Sequence, residues 1–211
     1  MLVSETMIRL MRALLISDEP ISLRELTKRA DVTLSRASKE IDRLYRAGYV
    51  RKRPQVAVQR RRDLLLAFSY CWSIKAVPFE AFDALERPDH LSKVITKIAK
   101  KEGLAYAFTL LVGTEVLSPY VVPSTVHLYI DGAQVEKWRK ALSENGIYPT
   151  ESRTIGKVNL LIYDGSVLQG AIERKGVRVV SPYQLFADLH GMGGIMRDAA
   201  DKLAERMGWG E

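Results

Sequence analysis

The sequence predicts an α+β fold, in which a helical N-terminal part precedes a part where strands and helices are mixed. Apolar residues recur at three- and four-residue spacing through residues 5–47, as they do along one face of a helix. After residue 104, short apolar runs of the kind found in strands alternate with helical segments. The two patterns occupy different parts of the chain and therefore predict two domains joined by a connector.

The first two helices have clear start signals. Ser4 can accept a hydrogen bond at the start of a helix that should end near Ser17. Ser22 precedes a second helix, Leu23–Ala30, and Glu25 stands three residues after it in capping-box spacing. A tight turn follows, so that three helices are expected in close succession.

The third predicted helix, Leu34–Ala47, has Thr33 as its N-cap and Gly48 as its stop. One of its sides is small and apolar, formed by Ala37, Ile41, Leu44 and Gly48. The opposite side carries cations, namely Arg36, Lys39, Arg43 and Arg46, with Ser35 beside them. A solvated helix face paired with Glu40 and Asp42 would show the same pattern.

Two short strands with a tight tip are predicted over residues 49–53 and 56–59. Arg51-Lys52-Arg53 and Arg60-Arg61-Arg62 flank this tip. Residues 1–62 contain 15 Lys and Arg against 7 Asp and Glu, whereas the rest of the chain contains 17 and 18. The net charge of +7 therefore comes from the N-terminal part, and such a concentration suits a polyanionic partner.

The run LRELTKRADVTLSRASKEIDRLYRAGYVRK, residues 23–52, resembles the winged helix-turn-helix of bacterial and archaeal transcriptional regulators. Together with the charge pattern, it indicates a DNA-binding regulator that binds double-stranded DNA as a homodimer, with the third helix in the major groove and the wing on phosphates. The residues expected to contact DNA are Thr33, Ser35, Arg36, Ser38, Lys39, Arg43, Arg51, Lys52, Arg53, Arg60, Arg61 and Arg62. A winged helix can also serve as a protein-binding module, which is a further alternative.

Beyond this domain, residues 1–62, we expect a helical connector over residues 63–103 and an α/β regulatory or partner-binding domain over residues 104–211. In the α/β domain the expected strands are 125–130, 158–163 and 177–180, and the expected helices are 135–145, 183–190 and 195–207. The apolar stretches 104–112 and 116–122 fit either type of element.

The C-terminal part also carries a looser resemblance. The order FTLLVGTEVLSPYVVPSTVHLYI, VNLLIYD, VRVVSPYQLFADL and GGIMRDAADKLAERM is similar to the C-terminal domain of AbiEi-type antitoxins of type IV toxin–antitoxin systems. This resemblance implies a repressor of its own promoter, a cognate toxin protein as a possible partner, and a C-terminal fold of nucleotidyltransferase-like type.

An active nucleotidyltransferase would need a Gly-Ser turn and two carboxylates one residue apart on a nearby strand. The chain offers Gly113-Thr114 and a strand with His127, Tyr129 and a single carboxylate, Asp131. We therefore predict no enzyme activity, no catalytic or metal-binding residue and no cofactor. A nucleotidyltransferase-like enzyme tethered to nucleic acid by a winged helix is the main alternative.

The cysteine content and the length of the apolar runs indicate the cellular compartment of the protein. Cys71 is the only cysteine, so neither an intrachain disulfide nor a cysteine zinc cluster can form. The N-terminus lacks the features of a signal peptide. The most apolar run, residues 64–77, is shorter than the roughly 20 residues that span a bilayer and should be a buried helix. We expect a cytoplasmic protein without membrane contact.

Overall fold

The computed structural model describes residues 3–150 and 156–209, so the outer limits of the predicted domains, residues 1 and 211, lie outside it. The helices of this part are α1 Glu5–Ile16, α2 Leu23–Ala30, α3 Leu34–Arg46, α4 Arg61–Cys71, α5 Pro88–Glu102, α6 Leu110–Leu117, α7 Val135–Ser143, α8 Pro182–Met192 and α9 Ile195–Arg206. The strands are β1 Val50–Arg51, β2 Ala57–Val58, β3 Phe79–Asp83, β4 Tyr106–Thr109, β5 Val126–Asp131, β6 Tyr148–Pro149, β7 Val158–Tyr163, β8 Ile172–Arg174 and β9 Val177–Val179. The α+β class is confirmed.

The first three helices begin where the sequence predicts. Ser4 accepts a hydrogen bond from the Met7 N–H, and Ser22 accepts one from the Glu25 N–H, so both serines cap their helices. Thr33 occupies the N-cap position of α3, but its side chain makes no capping hydrogen bond, which corrects the predicted role of its hydroxyl. The three helices pack on one another through their apolar faces.

The β1–β2 hairpin follows α3 and is attached to the segment before α2. Val50 pairs with Val58 in antiparallel register. Ile21 and Val56 exchange two backbone hydrogen bonds, with N···O distances of 2.8 and 3.0 Å. The hairpin is therefore anchored to the segment that leads into α2.

The other seven strands form one mixed sheet in the order β6-β3-β7-β5-β4-β9-β8. The β5–β7 and β4–β9 pairs are parallel, and the remaining pairs are antiparallel. Side chains alternate along the central strands: Leu128 and Leu160 enter one core, whereas Tyr129 and Leu161 enter another. The sheet therefore has a helix layer on each face.

The two cores differ in which helices they contain. One face of the sheet is covered by α5 and α7, with Leu91, Ile95 and Trp138 among the buried side chains. The other face belongs to a larger core that contains α1, α4, α8 and α9, and this core continues into α2, α3 and the hairpin. The N-terminal helices and the sheet therefore share one hydrophobic core.

Residues 63–103 do not form a separate helical connector. α4 packs between α1 and α8 and ends at Cys71, short of the predicted Val77. β3 pairs with both β6 and β7 within the large sheet. β3, β6 and β8 have no counterpart among the predicted strands. The undecided stretch 104–122 forms β4 and α6.

None of the helices in the described part of the chain has both the length and the apolar character needed to cross a bilayer.

Candidate nucleic-acid interface

The turn between α2 and α3 fixes the direction of α3. Asp31 ends α2 in a left-handed conformation, with φ +50°. The Val32 N–H then donates to the Thr27 carbonyl at 3.1 Å, which closes the turn. Ala37 and Ile41 bury one side of α3 against the other helices. The opposite side of α3 consequently faces away from the protein.

The exposed side of α3 carries two cations without an intramolecular partner. Arg36 and Lys39 are exposed, and their side chains make no hydrogen bond or ion pair with any residue of 3–150 or 156–209. Ser35 and Ser38 are exposed beside them. These four side chains form the outer face of α3, and we use that name for them below.

The acidic residues of α3 are engaged away from the outer face. Glu40 is buried and accepts a hydrogen bond from the Ser4 hydroxyl at 2.9 Å. Arg43 donates to the same carboxylate at 2.9 Å. Asp42 pairs with Lys52 of the hairpin, and the Lys52 ammonium also lies over the Tyr45 ring. Lys52 therefore joins α3 to the hairpin, Arg43 is paired within α3, and the outer face keeps a net positive charge.

The tip of the hairpin presents two further cations. Arg51 lies in β1 and Arg53 lies in the turn, and both are exposed. Neither forms an ion pair with a described residue. Arg51 and Arg53, like Arg36 and Lys39, were predicted to contact DNA, and no carboxylate of the described residues neutralises them.

The run Arg60–Arg62 does not belong to the hairpin. Arg60 directly precedes α4 and donates to the carbonyls of Ala47 and Gly48, at 3.0 and 3.2 Å, so it caps the C-terminal end of α3. Its guanidinium also lies over the Tyr49 ring. The sequence predicted that Arg60–Arg62 flank the wing as the second of two basic runs, and the placement of Arg60 corrects this.

Arg61 and Arg62 have contrasting surroundings. Arg61 donates to the carbonyls of Leu15 and Ser17 and to the Tyr183 hydroxyl, so it joins α1 to α8. Arg62 is exposed and borders a surface cavity with Phe186. Both terminal nitrogens of Arg61 are therefore engaged within the protein.

The sequence analysis missed a buried polar network that connects α1 with α8. Arg12 is buried and donates from Nε to Gln184 and from Nη1 to Ser166, each at 2.9 Å. Its guanidinium lies over three aromatic rings, those of Phe68, Trp72 and Tyr163. The position of Arg12 between Ile8 and Leu15 on the apolar side of α1 is the signal that could have indicated its burial.

Asp188 is the acceptor at the centre of this network. Its carboxylate accepts hydrogen bonds from four buried side chains, Thr109, Tyr129, Trp72 and Gln184, over donor–acceptor distances of 2.6 to 2.9 Å. Burial raises the pKa of Asp188 to about 6, although each of these hydrogen bonds opposes the shift. Both of its oxygens accept hydrogen bonds, so Asp188 joins α8 to β4, to β5 and to the end of α4.

The residues considered for catalysis do not form the expected constellation. Gly113 and Thr114 lie buried within α6, so they do not form the turn that a nucleotidyltransferase would need. Asp131 accepts from the Ala133 N–H at the end of β5, whereas His127 lies near the start of the same strand. Within residues 3–150 and 156–209, no three His, Cys, Asp or Glu side chains are grouped so as to hold a metal ion.

Comparison with known proteins found no matching family model, no matching curated protein and no matching solved structure.

Proposed function

We propose that the protein is a sequence-specific DNA-binding transcriptional regulator, in which α1–α3 and the hairpin form a winged helix-turn-helix. One observation carries the proposal: Arg36 and Lys39 are exposed on α3 without an intramolecular side-chain partner, while Glu40 is held by Arg43 and Ser4 and Asp42 is held by Lys52. A solvated helix face would pair these cations with the carboxylates of its own helix. The arrangement instead leaves uncompensated positive charge on one face.

In the proposed complex, α3 lies in the major groove with its outer face on the base edges. Arg36 can donate two hydrogen bonds to a guanine, and Ser35, Ser38 and Lys39 can reach neighbouring bases or phosphates. The first N–H groups of α3 have no intrahelical partner, and the Thr33 side chain does not cap them. They can therefore donate to a phosphate beside the groove.

The hairpin adds contacts that do not depend on sequence. Arg51 and Arg53 are exposed at its tip, and guanidinium groups bind phosphate oxygens well. Each phosphate neutralised by the protein contributes roughly −0.9 to the slope of the logarithm of the binding constant against the logarithm of the salt concentration. Arg51 and Arg53 should therefore affect the salt dependence of binding more than its specificity.

The remaining part of the chain is proposed to regulate this binding. The resemblance of its motif order to AbiEi-type antitoxins supports a repressor with a nucleotidyltransferase-like C-terminal fold and a toxin protein as partner. A regulator of this kind acts on DNA in the cytoplasm. It is proposed to act as a homodimer, since helix-turn-helix proteins usually bind two half-sites. Light scattering that gives only the monomer mass, with and without DNA, would contradict the dimer.

The DNA-binding proposal can be tested with the double variant Arg36→Ala, Lys39→Ala. A duplex would first be enriched from a random pool with the wild-type protein. We expect the variant to bind that duplex at least about tenfold more weakly, because one bidentate contact to a base contributes about 1–3 kcal/mol. Affinity for unrelated duplexes should fall much less. Gel shifts at a fixed salt concentration would measure both.

The matched control is the double variant Lys93→Ala, Lys97→Ala. It also removes two exposed cations from one helix, α5, which covers the opposite face of the sheet. Its affinity for the enriched duplex should stay close to that of the wild type. The proposal fails if no sequence is enriched from the pool, or if the two double variants lose affinity equally.

A further inference from the structure

A small cavity of about 200 Å³ lies on the sheet face that carries the shared core. Its walls are mostly apolar, formed by the buried side chains of Ile74, Leu110 and Leu161 and by Phe79 and Met192 nearer its opening. Engineered apolar cavities of about 150 Å³ bind benzene, whereas drug-sized ligands need roughly 300 Å³ or more. The cavity therefore has room for one ring and a substituent.

The backbone of the cavity wall is strained at Leu110. This residue has φ +49° at the junction of β4 and α6, in the left-handed region that favours glycine. Strained residues of this kind persist only where the surrounding structure holds them, and they are concentrated at ligand sites. The strain is an observation independent of the cavity volume, and it falls on the same wall.

His127 is one of two polar side chains that line the cavity. His127 is buried, and burial lowers its pKa to about 4, so the imidazole is neutral at pH 7. Its Nδ1 lies 3.5 Å from the Thr125 hydroxyl, at the outer limit of a hydrogen bond, and the ring has no other partner among the described residues. A neutral imidazole without a close partner can donate to or accept from a ligand.

Lys75 gives the cavity its charge. Lys75 lines the cavity, is exposed to solvent, and forms no ion pair with a described residue. None of the seven lining residues is acidic. An anionic group in the cavity would therefore meet one cation and no anion, whereas a cationic group would meet only repulsion.

We propose that this cavity is a binding site for a small organic acid with a compact apolar body. The body lies against Leu110 and Leu161, and the carboxylate is directed to the polar lining formed by Lys75 and His127. The site shares no residue with α1–α3 or the hairpin, so the inference does not depend on the DNA-binding proposal.

The test uses three fluorinated probes of similar size and different charge, with the full-length protein at pH 7. These are para-fluorobenzoate, para-fluorobenzamide and para-fluorobenzylamine, and fluorine NMR titrations measure their binding. We expect para-fluorobenzoate to bind with a dissociation constant on the order of 0.1–1 mM, as small ligands of about ten heavy atoms do. The amide should bind up to about fivefold more weakly, since the partner cation is exposed, and the amine weakest of the three.

The variant Lys75→Glu locates the site. It should reverse the order of the probes, so that para-fluorobenzylamine binds more tightly than para-fluorobenzoate. The control Lys137→Glu makes the same change of charge at an exposed position of α7 that does not line the cavity, and it should keep the wild-type order. Circular dichroism checks that both variants are folded.

Three results would overturn the inference. The first is no saturable binding of any probe below about 10 mM, a concentration at which even a weak fragment would saturate the site. The second is equal affinity for the three probes. The third is a preference for para-fluorobenzoate that persists in Lys75→Glu, since the anion would then be bound elsewhere.

Discussion

Arg60, Arg61 and Arg62 are consecutive in the sequence but have different neighbours. Arg60 caps α3, Arg61 joins α1 to α8, and Arg62 is exposed. A basic run is usually interpreted as one charged surface. Here the start of α4 points the three side chains in different directions, so each has to be interpreted by its own contacts.

Arg61→Ala should destabilise the protein by about 1–3 kcal/mol, because it leaves two backbone carbonyls and the Tyr183 hydroxyl without their charged donor. Arg62→Ala, the neighbouring control, should change the free energy of unfolding by less than about 0.5 kcal/mol. Urea denaturation measures both. Equal stability of the two variants would show that the contacts of Arg61 contribute nothing.

Asp188 makes the stability depend on pH in a predictable direction. Burial raises its folded-state pKa to about 6, above the value of about 3.9 for an unfolded chain. Between these two values the folded protein holds the proton and the unfolded chain does not. The contribution of Asp188 is therefore most favourable below about pH 4 and declines as the pH rises to about 6, by at most 2–3 kcal/mol.

The variant Asp188→Asn isolates this effect. The stability of the wild type minus that of the variant should decrease between pH 4 and pH 6, and it should be constant above that range. Urea denaturation at several pH values gives the difference. The control Asp198→Asn changes an exposed aspartate and should leave the pH profile of the wild type unaltered. A difference that does not vary with pH would contradict the raised pKa of Asp188.

At the scale of elements, the helical period of α3 predicts the burial of its apolar side correctly but the exposure of Glu40 incorrectly. Its period places Ala37, Ile41 and Leu44 in the core, as the structure has them. The same period assigns Glu40 to a solvated face. In the structure Glu40 is buried, because the N-terminus of α1 covers it and Ser4 donates to it. The period of one helix cannot predict which of its polar residues are buried by a neighbouring helix.

The contact between β3 and the start of β7 predicts an unequal pair of glycine substitutions. A Cβ on Gly156 would lie 2.5 Å from the carbonyl oxygen of Phe82, a backbone atom that cannot move without disturbing the strand. Gly156→Ala should therefore cost about 2–4 kcal/mol, at the upper end of overpacking effects. Gly132→Ala, whose Cβ would meet Ile162 at 3.5 Å, should be nearly neutral. Thermal unfolding of both variants tests this, and a smaller loss for Gly156→Ala than for Gly132→Ala would exclude the close approach.

At the scale of the whole molecule, the shared core joins the N-terminal helices to the sheet. Leu14 of α1, Phe68 of α4 and Leu189 of α8 belong to the same cluster. The Arg12–Gln184 hydrogen bond crosses this core. Removal of α4 and α8 would expose the buried face of α1 and leave Arg12 without partners, so residues 5–58 should not be a stable unit alone.

Native-state hydrogen exchange tests this expectation. The most protected amides of α1 and of β5 should have the same opening free energy, equal to that of global unfolding, since both elements lie on one cooperative core. Trp138 lies in the core on the other face of the sheet, so a variant that keeps it as the only tryptophan reports the unfolding of that part by fluorescence. Opening of α1 at a clearly lower free energy would show that the two parts unfold separately.

The sequence by itself determined the elements whose signals are local. Ser4 and Ser22 each cap a helix through an N–H three residues away, and Gly48, with φ +76°, follows the C-cap residue of α3, Ala47. The period of α3 also placed Arg36 and Lys39 on its exposed side. Such signals act within one turn of the chain, where the sequence order is also the spatial order.

Only the tertiary structure decided which charges are free. Arg12 meets Gln184, Arg61 meets Tyr183, and both pairs are separated by more than 100 residues. The cavity likewise combines side chains from β3, β5, β7 and three helical segments. The energy of a buried charge depends on the partners that packing brings to it, and these partners are set by the order and direction of the sheet strands and helices. Arg36 and Lys39 are uncompensated because the packing pairs the nearby carboxylates, Glu40 and Asp42, with other side chains.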